Sequence, residues 1–518
     1  MVSRFRQYIP SVPQFPLLEH LQPESSPSPV PVHLNLDRKT SILSLTKKRR
    51  IEVQPDFAIV SKRVVTPDGT REAGLLVAGG AIAGVVRRSE IPPSVTVEDV
   101  GNLVVMPGLI DSHVHINEPG RTDWEGFTTA TRAAAAGGIT TLVDMPLNSS
   151  PVTTTSSAFQ EKLKASTGKL HVDCGFHGGV VPGNTAELQS LADTGVLGFK
   201  AFLVHSGIDE FPNATEVDLK AAMPVIAKTG LPLLVHCELT SDSPQWNGPP
   251  TSYKAFLASR PRKWEQDAIE LMIRLCRVTR CRIHIVHLSS ADALAVIRAA
   301  RKEGLPLTVE TCPHYLYFAA EDVPDSDTRF KCAPPIRELE NRERLWEALL
   351  DGTIDFVVSD HSPSAPELKL LKEGDFQNSW GGIDSLQFGL SIVWTEASRR
   401  GAMVADMARW MSEGPAQLAG LSGRKGRLDK GYDADIVIWN PEESFSVTGE
   451  ETFHRHPLTP YEGRHLTGRV QRTYLRGRKI FDSGEHLPTP YGQAILQINS
   501  ANGSTGKSRN QKKEMHGT

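Results

Sequence analysis

Between residues 105 and 425, short apolar runs, several of them closed by a polar residue, alternate with stretches rich in Ala, Arg, Lys and Glu. A buried strand reads as a brief continuous apolar run, whereas Ala, Lys, Glu and Arg favour helix. Runs of the first kind end at Val114, Met145, Val181, Lys200, His236, His287, Glu310 and Asp360, which makes eight. Helical stretches such as Thr128–Ala136 and Asp292–Glu303 lie between them. Parallel strands need long crossovers, normally helices, so the alternation predicts the α/β class and a (β/α)8 TIM-type barrel. Functional groups of such a barrel sit where its strands end.

The flanks follow a different rhythm. Phe57–Val60, Arg63–Thr66 and Gly74–Gly80 read as short strands with tight turns, and a matching set returns late at Asp433–Trp439, Gly468–Leu475 and Lys479–Phe481. Two strand-rich segments around a long middle predict a small β-sandwich domain built from both chain ends. The expected plan is a disordered leader over 1–54, the β domain over 55–104 and 426–485, the barrel over 105–425, and a largely disordered tail over 486–518. The leader is rich in Pro and Ser and ends in Lys47-Lys-Arg-Arg50. A solvated charge run explains that cluster better than a nuclear-import signal. Arg4 and Arg6, with no acidic residue before Glu19, leave an organelle transit reading open.

Composition narrows the partners. The 518 residues are 39% hydrophobic with a formal net charge of −3, so no basic field gathers nucleic acid or anionic membrane. A small-molecule substrate is expected. Six cysteines, at 174, 237, 276, 281, 312 and 332, show no Cys-x-x-Cys spacing and suit a reducing compartment. No apolar run approaches the roughly 20 residues of a membrane span. The expectation is an intracellular soluble protein, cytoplasmic first, with the endoplasmic reticulum or an organelle as the alternative.

Chemistry begins at His113 and His115. Residues two apart on a strand share a face, so both imidazoles project together, as in half of a metal site. Such a pair also fits a polar pocket of satisfied imidazoles. The barrel, however, brings Lys200, His236, His287 and Asp360 to the same mouth. A lysine ammonium has no lone pair and repels a divalent cation. A desolvated Lys200 is available as the neutral amine, which adds carbon dioxide to give a carbamate with one oxygen for each of two metals.

Four stretches make the chain recognisable: Asp111–Phe127 with its His-Val-His-Ile-Asn-Glu-Pro-Gly core, Ala134–Ser149, Glu310–Leu316 and Ser359–Pro363. They resemble the cyclic amidohydrolase branch of the amidohydrolase superfamily, the dihydroorotase- and hydantoinase-like group, over about Phe57 to Asp482. The resemblance implies two divalent metal ions. His113, His115 and Asp360 would bind the buried ion, His236 and His287 the more exposed one, and N6-carboxylated Lys200 would bridge them. Zn2+ suits this set, and Mn, Co or Fe would fit a similar His/carboxylate site. Asp360 would be the catalytic acid and base. A homotetramer is also implied.

Substrate choice falls to the loops. Dihydroorotases of this type carry an Arg for the substrate carboxylate where this chain has Asn117, which favours a neutral ureide over dihydroorotate. Hydantoinases and dihydropyrimidinases carry a Tyr shortly after the bridging lysine, and Lys200-Ala-Phe-Leu-Val-His205 has none. A cyclic amidase of that type is the alternative enzyme, and an inactive amidohydrolase-like scaffold the alternative without catalysis. Six retained ligand positions count against the scaffold. Candidate substrate contacts are Asn148, Ser362 and His205, against which stand a turn, a helix cap and a solvent-facing loop. Any contact at Cys332 would run through backbone. A structural role is expected for His177 and His314, and none is assigned to Trp124 or Glu125.

Overall fold

The computed structural model describes residues 54–240 and 246–497, so the expected leader and its basic cluster lie outside the described residues. Two parallel sheets build the barrel. One holds Leu109–Val114, Ile139–Asp144 and Asp173–Phe176. The other holds Gly178–Gly179, Phe199–Phe202, Leu233–His236, Ile283–Ile285, Leu307–Thr311 and Phe356–Val357. Only His177 separates Asp173–Phe176 from Gly178–Gly179, so these form one interrupted strand and the barrel has eight staves. Closure runs through the ends: Val114 bridges His361, and the His115 N–H donates to the His361 carbonyl at 2.8 Å.

Each stave is followed by a helix: Phe127–Ala136, Ser156–Ser166, Leu188–Thr194, Glu216–Thr229, Arg262–Thr279, Leu294–Lys302, Leu339–Leu350 and Gly389–Arg399 in turn. Local chemistry fixes their ends. Thr215 and Asp218 form a reciprocal capping box at the start of Glu216–Thr229, and Gly230 ends that helix in the left-handed region. Staves and helices close on a continuous apolar core that includes Leu142, Phe176, Phe199, Val235 and Ile285.

Two staves stop sooner than the apolar runs suggest. Ile283–Ile285 ends two residues before His287, and Phe356–Val357 ends three before Asp360. Both polar residues occupy the left-handed region, with φ of 38° and 46°. That conformation is uncommon outside glycine and cannot continue a ladder.

The β domain is a nine-stranded sheet drawing on both flanks. Val104–Pro107 from the early flank pairs antiparallel with Ile436–Ser446 from the late one. Its own core gathers Ile59, Val64, Leu75 and Ile82 with Ile436 and Ile438. Residues 486–497, assigned to the tail from sequence, are instead built into the structure. Gln493 and Ile495 exchange backbone hydrogen bonds with Cys174 at the foot of the third stave, and the Ile495 side chain is buried. The apolar signal there is too short to stand out in the sequence. Among the described residues, no helix is long and apolar enough to cross a membrane.

Candidate metal centre

The stave ends bring the expected polar residues together. Nitrogen atoms of His113 and His115 and a carboxylate oxygen of Asp360 all lie within 4.8 Å of one another. The His113 Nε2 and His115 Nε2 atoms stand 3.2 and 3.5 Å from Asp360 Oδ1. His287 lies 5.4 Å from His113 and 4.6 Å from His236, ring centre to ring centre. Lys200 Nζ sits 4.9 Å from the Phe202 ring, on which His236 is stacked at 4.7 Å. These six residues line one cavity of about 210 Å³ at the barrel mouth.

All six are buried, and Lys200 has no exposed surface at all. Burial holds His113 and His287 well below the ordinary imidazole value, with neighbouring Lys200 and other imidazoles adding to the effect. Neutral imidazoles keep a lone pair for a ligand. Burial also brings Lys200 down to about 8, although Asp360 and Glu310 oppose it.

Two carboxylates beyond the six orient the imidazoles. Glu310 Oε1 lies 2.5 Å from His113 Nδ1, and its Oε2 lies 2.9 Å from His284 Nε2. Glu238 Oε2 lies 2.7 Å from His236 Nε2. For His113 and His236 the carboxylate takes one ring nitrogen and leaves the other for a ligand, whereas His284 also engages Thr308 through Nδ1. Arg260 donates to both oxygens of Glu238, with its Nε at 3.1 Å from Oε1. Burial works against the Glu238 charge, but Arg260 and His236 outweigh it and hold the carboxyl down at about 2.

The expected substrate contacts are also at the cavity, in different states. Asn148 is buried, in the left-handed region at φ 66°, and its Oδ1 has no partner. Ser362 lines the wall and donates its hydroxyl to the Asp360 carbonyl at 2.8 Å. His205 stands at the rim, mostly exposed, where its Nδ1 accepts from the Gly207 N–H at 3.2 Å. Cys332 and Arg260 complete the wall with Trp380. Asn117 is buried and donates to the Pro363 carbonyl at 3.1 Å.

Sequence reasoning passed over Glu310, Glu238 and Arg260. Glu310 is recognisable as a stave end, and Glu238 follows His236 by two residues, the spacing that shares a strand face. Arg260 carries no such signal, because it reaches the cavity from the end of Tyr253–Ser259.

The fold agrees with the comparisons. Residues 104–480 match the amidohydrolase family. The L-hydantoinase (dihydropyrimidinase) of Arthrobacter aurescens superposes with a TM-score of 0.79 at 31% identity, over 85% of this chain and all of that one. The chain belongs to the amidohydrolase family, the metal-dependent hydrolases of barrel architecture. Within it, the allantoinase of Streptomyces avermitilis is 50% identical over 444 residues, covering 85% of this chain and 98% of that one. The allantoinase of Arabidopsis thaliana is 47% identical over 460 residues, covering 85% of this chain and 91% of that one.

The family implies a binuclear metal centre, and the residues present fit one. His113 Nε2, which faces Asp360, and Lys200 Nζ are buried polar atoms without a hydrogen-bond partner. Buried polar atoms are seldom left so, and such atoms on residues that line one cavity are what a pair of metal ions would satisfy.

Proposed function

We propose that this chain is an allantoinase, opening the hydantoin ring of allantoin by hydrolysis of its cyclic amide to give allantoate. The observation that carries the reading is the six-donor cluster in a cavity whose permanent cation is already paired. Apart from Lys200, the cation among the described residues lining the cavity is Arg260, whose Nε and Nη2 both donate to Glu238. A substrate carboxylate would find the Nε/Nη2 edge of that guanidinium already taken by Glu238, whereas a neutral ureide needs no such partner. No tyrosine is among the described residues lining the cavity, which favours this reading over a hydantoinase or dihydropyrimidinase.

His113, His115 and Asp360 would hold the buried ion, His236 and His287 the exposed one, with Lys200 as the N6-carboxylated bridge. Zinc is the proposed metal. When bound, the pair supplies Lewis acidity and a water acidic enough to attack near neutral pH. Asp360 takes the proton of the attacking water and delivers it to the ring nitrogen as the carbon–nitrogen bond breaks. Asn148 Oδ1 accepts an N–H of the ureide, which ends its isolation. Ser362 orients the ring through its hydroxyl or backbone. His205, exposed at the rim, is left a role in entry rather than in the oxyanion contact.

A panel of allantoin, hydantoin, dihydrouracil and dihydroorotate tests the reading. Allantoin should be turned over with the highest kcat/KM. Dominant turnover of any other ring rejects it.

A further inference from the structure

Above the metal cavity, the loops that follow different staves are tied together by one side chain. Arg121, half-buried in the loop after the first stave, donates from Nη1 to the Asn148 carbonyl at 2.8 Å. That carbonyl belongs to the loop after the second stave. From Nη2 the same guanidinium donates to Glu210 Oε1 at 3.0 Å, in the loop after the fourth stave. Its face also lies over Trp124, 5.5 Å from the ring centre, and Trp124 meets Trp380 of the last loop edge-on at 5.0 Å.

The contact between the first two loops is close enough to need glycine. Gly120 has φ 87°, and a Cβ there would fall 2.5 Å from the Ser150 carbonyl oxygen. Ser150 in turn donates its N–H to the Pro119 carbonyl at 2.8 Å. Asn148, which lines the cavity, sits between these fixed points in left-handed backbone, with its side-chain oxygen buried and unpartnered. Such a conformation costs free energy of order 1 kcal/mol or more and persists only where neighbours hold it. The guanidinium bond to its own carbonyl is the polar restraint that does so.

We propose that Arg121 is a positioning residue for substrate recognition, holding the Asn148 backbone so that the Asn148 side-chain amide meets an N–H of the bound ring. This rests on the ureide reading above for the identity of the ring. Arg121 touches neither the metal donors nor Asp360, so its loss acts on binding before chemistry. Planarity matters: two donors at a fixed fork reach Asn148 and Glu210 at once, which a lysine ammonium on one stem does not reproduce.

The test is a double-mutant cycle on the metal-loaded enzyme with Arg121→Met, Asn148→Ala and the pair, with Arg121→Lys and Glu210→Ala beside them. Arg121→Met should raise KM about tenfold or more while kcat changes by less than about threefold, the loss of roughly one hydrogen bond to substrate. Metal content and Tm should stay near those of the unmutated enzyme. Asn148→Ala should raise KM by a similar factor, and the double variant no further, because one residue acts through the other. Arg121→Lys should recover part of the loss, and Glu210→Ala should show a smaller rise in KM. Multiplying effects in the double variant, or an Arg121→Met enzyme with unchanged KM, would overturn the proposal. A collapse of metal content in Arg121→Met would also overturn it. The cycle runs on whichever ring the enzyme opens fastest, so a failure of the ureide reading shows in the unmutated enzyme and is separate.

Discussion

The Nδ1 atom of His113 faces Glu310 across 2.5 Å, and the other oxygen of that carboxylate faces His284. One buried acid therefore sets the ring orientation of the deepest imidazole in the cavity. Burial keeps the Glu310 carboxyl well above its usual range, with Lys200 opposing. A donated proton from His113 fixes its tautomer and leaves Nε2 free for an ion. Removing such a partner typically costs about 10- to 100-fold in metal affinity or activity. Glu310→Gln should weaken binding of the buried ion by about that factor, measured by competition with a chelator, while the exposed site is less affected. Equal affinity in both proteins would mean that His113 needs no such partner.

Asp360→Asn isolates the proton step. The amide keeps the size of the side chain and cannot shuttle a proton, so kcat should fall by about 10²- to 10⁴-fold. Circular dichroism and Tm should change little. A variant with more than a tenth of the original kcat would place the acid and base elsewhere.

Much of this is legible in the amino-acid sequence. Eight buried runs, five of them closed by a polar residue, define the staves, because a parallel strand covered on both faces is apolar along its length. The six donors stood at the ends of those runs, or one short turn beyond. What could not be read depends on side chains meeting across the barrel. Glu310 and His113 are 197 residues apart, and Arg121 and Glu210 are 89 apart. Nothing in local periodicity records such pairs. The break at His177 and the packed segment 486–497 escaped for another reason: each is a departure of only a few residues from a regular pattern.

The proposed carboxylation of Lys200 would link activity to carbon dioxide. Only the neutral amine is carboxylated, and burial brings its titration from the ordinary 10.5 down to about 8. At fixed dissolved carbon dioxide, reactivation of metal-free enzyme should accelerate from about pH 7 to about pH 9 and then level off. A rate still climbing towards pH 10.5 would contradict a desolvated amine. Lys200→Ala should lose bound metal and nearly all turnover, with partial recovery in short carboxylic acids. Full turnover and full metal content in that variant would remove the bridge from the account.

Acid should destabilise the metal-free protein. Burial holds His177, His284, His361 and His454 down at about 3, and His171 and His314 at about 4. These imidazoles take up protons near pH 6.5 when unfolded and far less readily when folded. Their contribution is complete above about pH 6.5 and is lost as the pH falls towards 3 to 4. Asp111 and Glu265, pushed up by burial to about 7, act in the opposite sense between about pH 4 and 7. The imidazoles are the more numerous group, so Tm should fall between pH 6.5 and 4. A Tm that rises on acidification would contradict this balance.

The most direct measurement takes metal stoichiometry and allantoin turnover from one purified sample. Titrating metal-free protein with zinc in bicarbonate should bring activity up to a plateau at two ions per chain, with allantoin the preferred ring. Full activity at one ion per chain or none, or a protein with two ions that leaves allantoin untouched, would contradict the shared-site account.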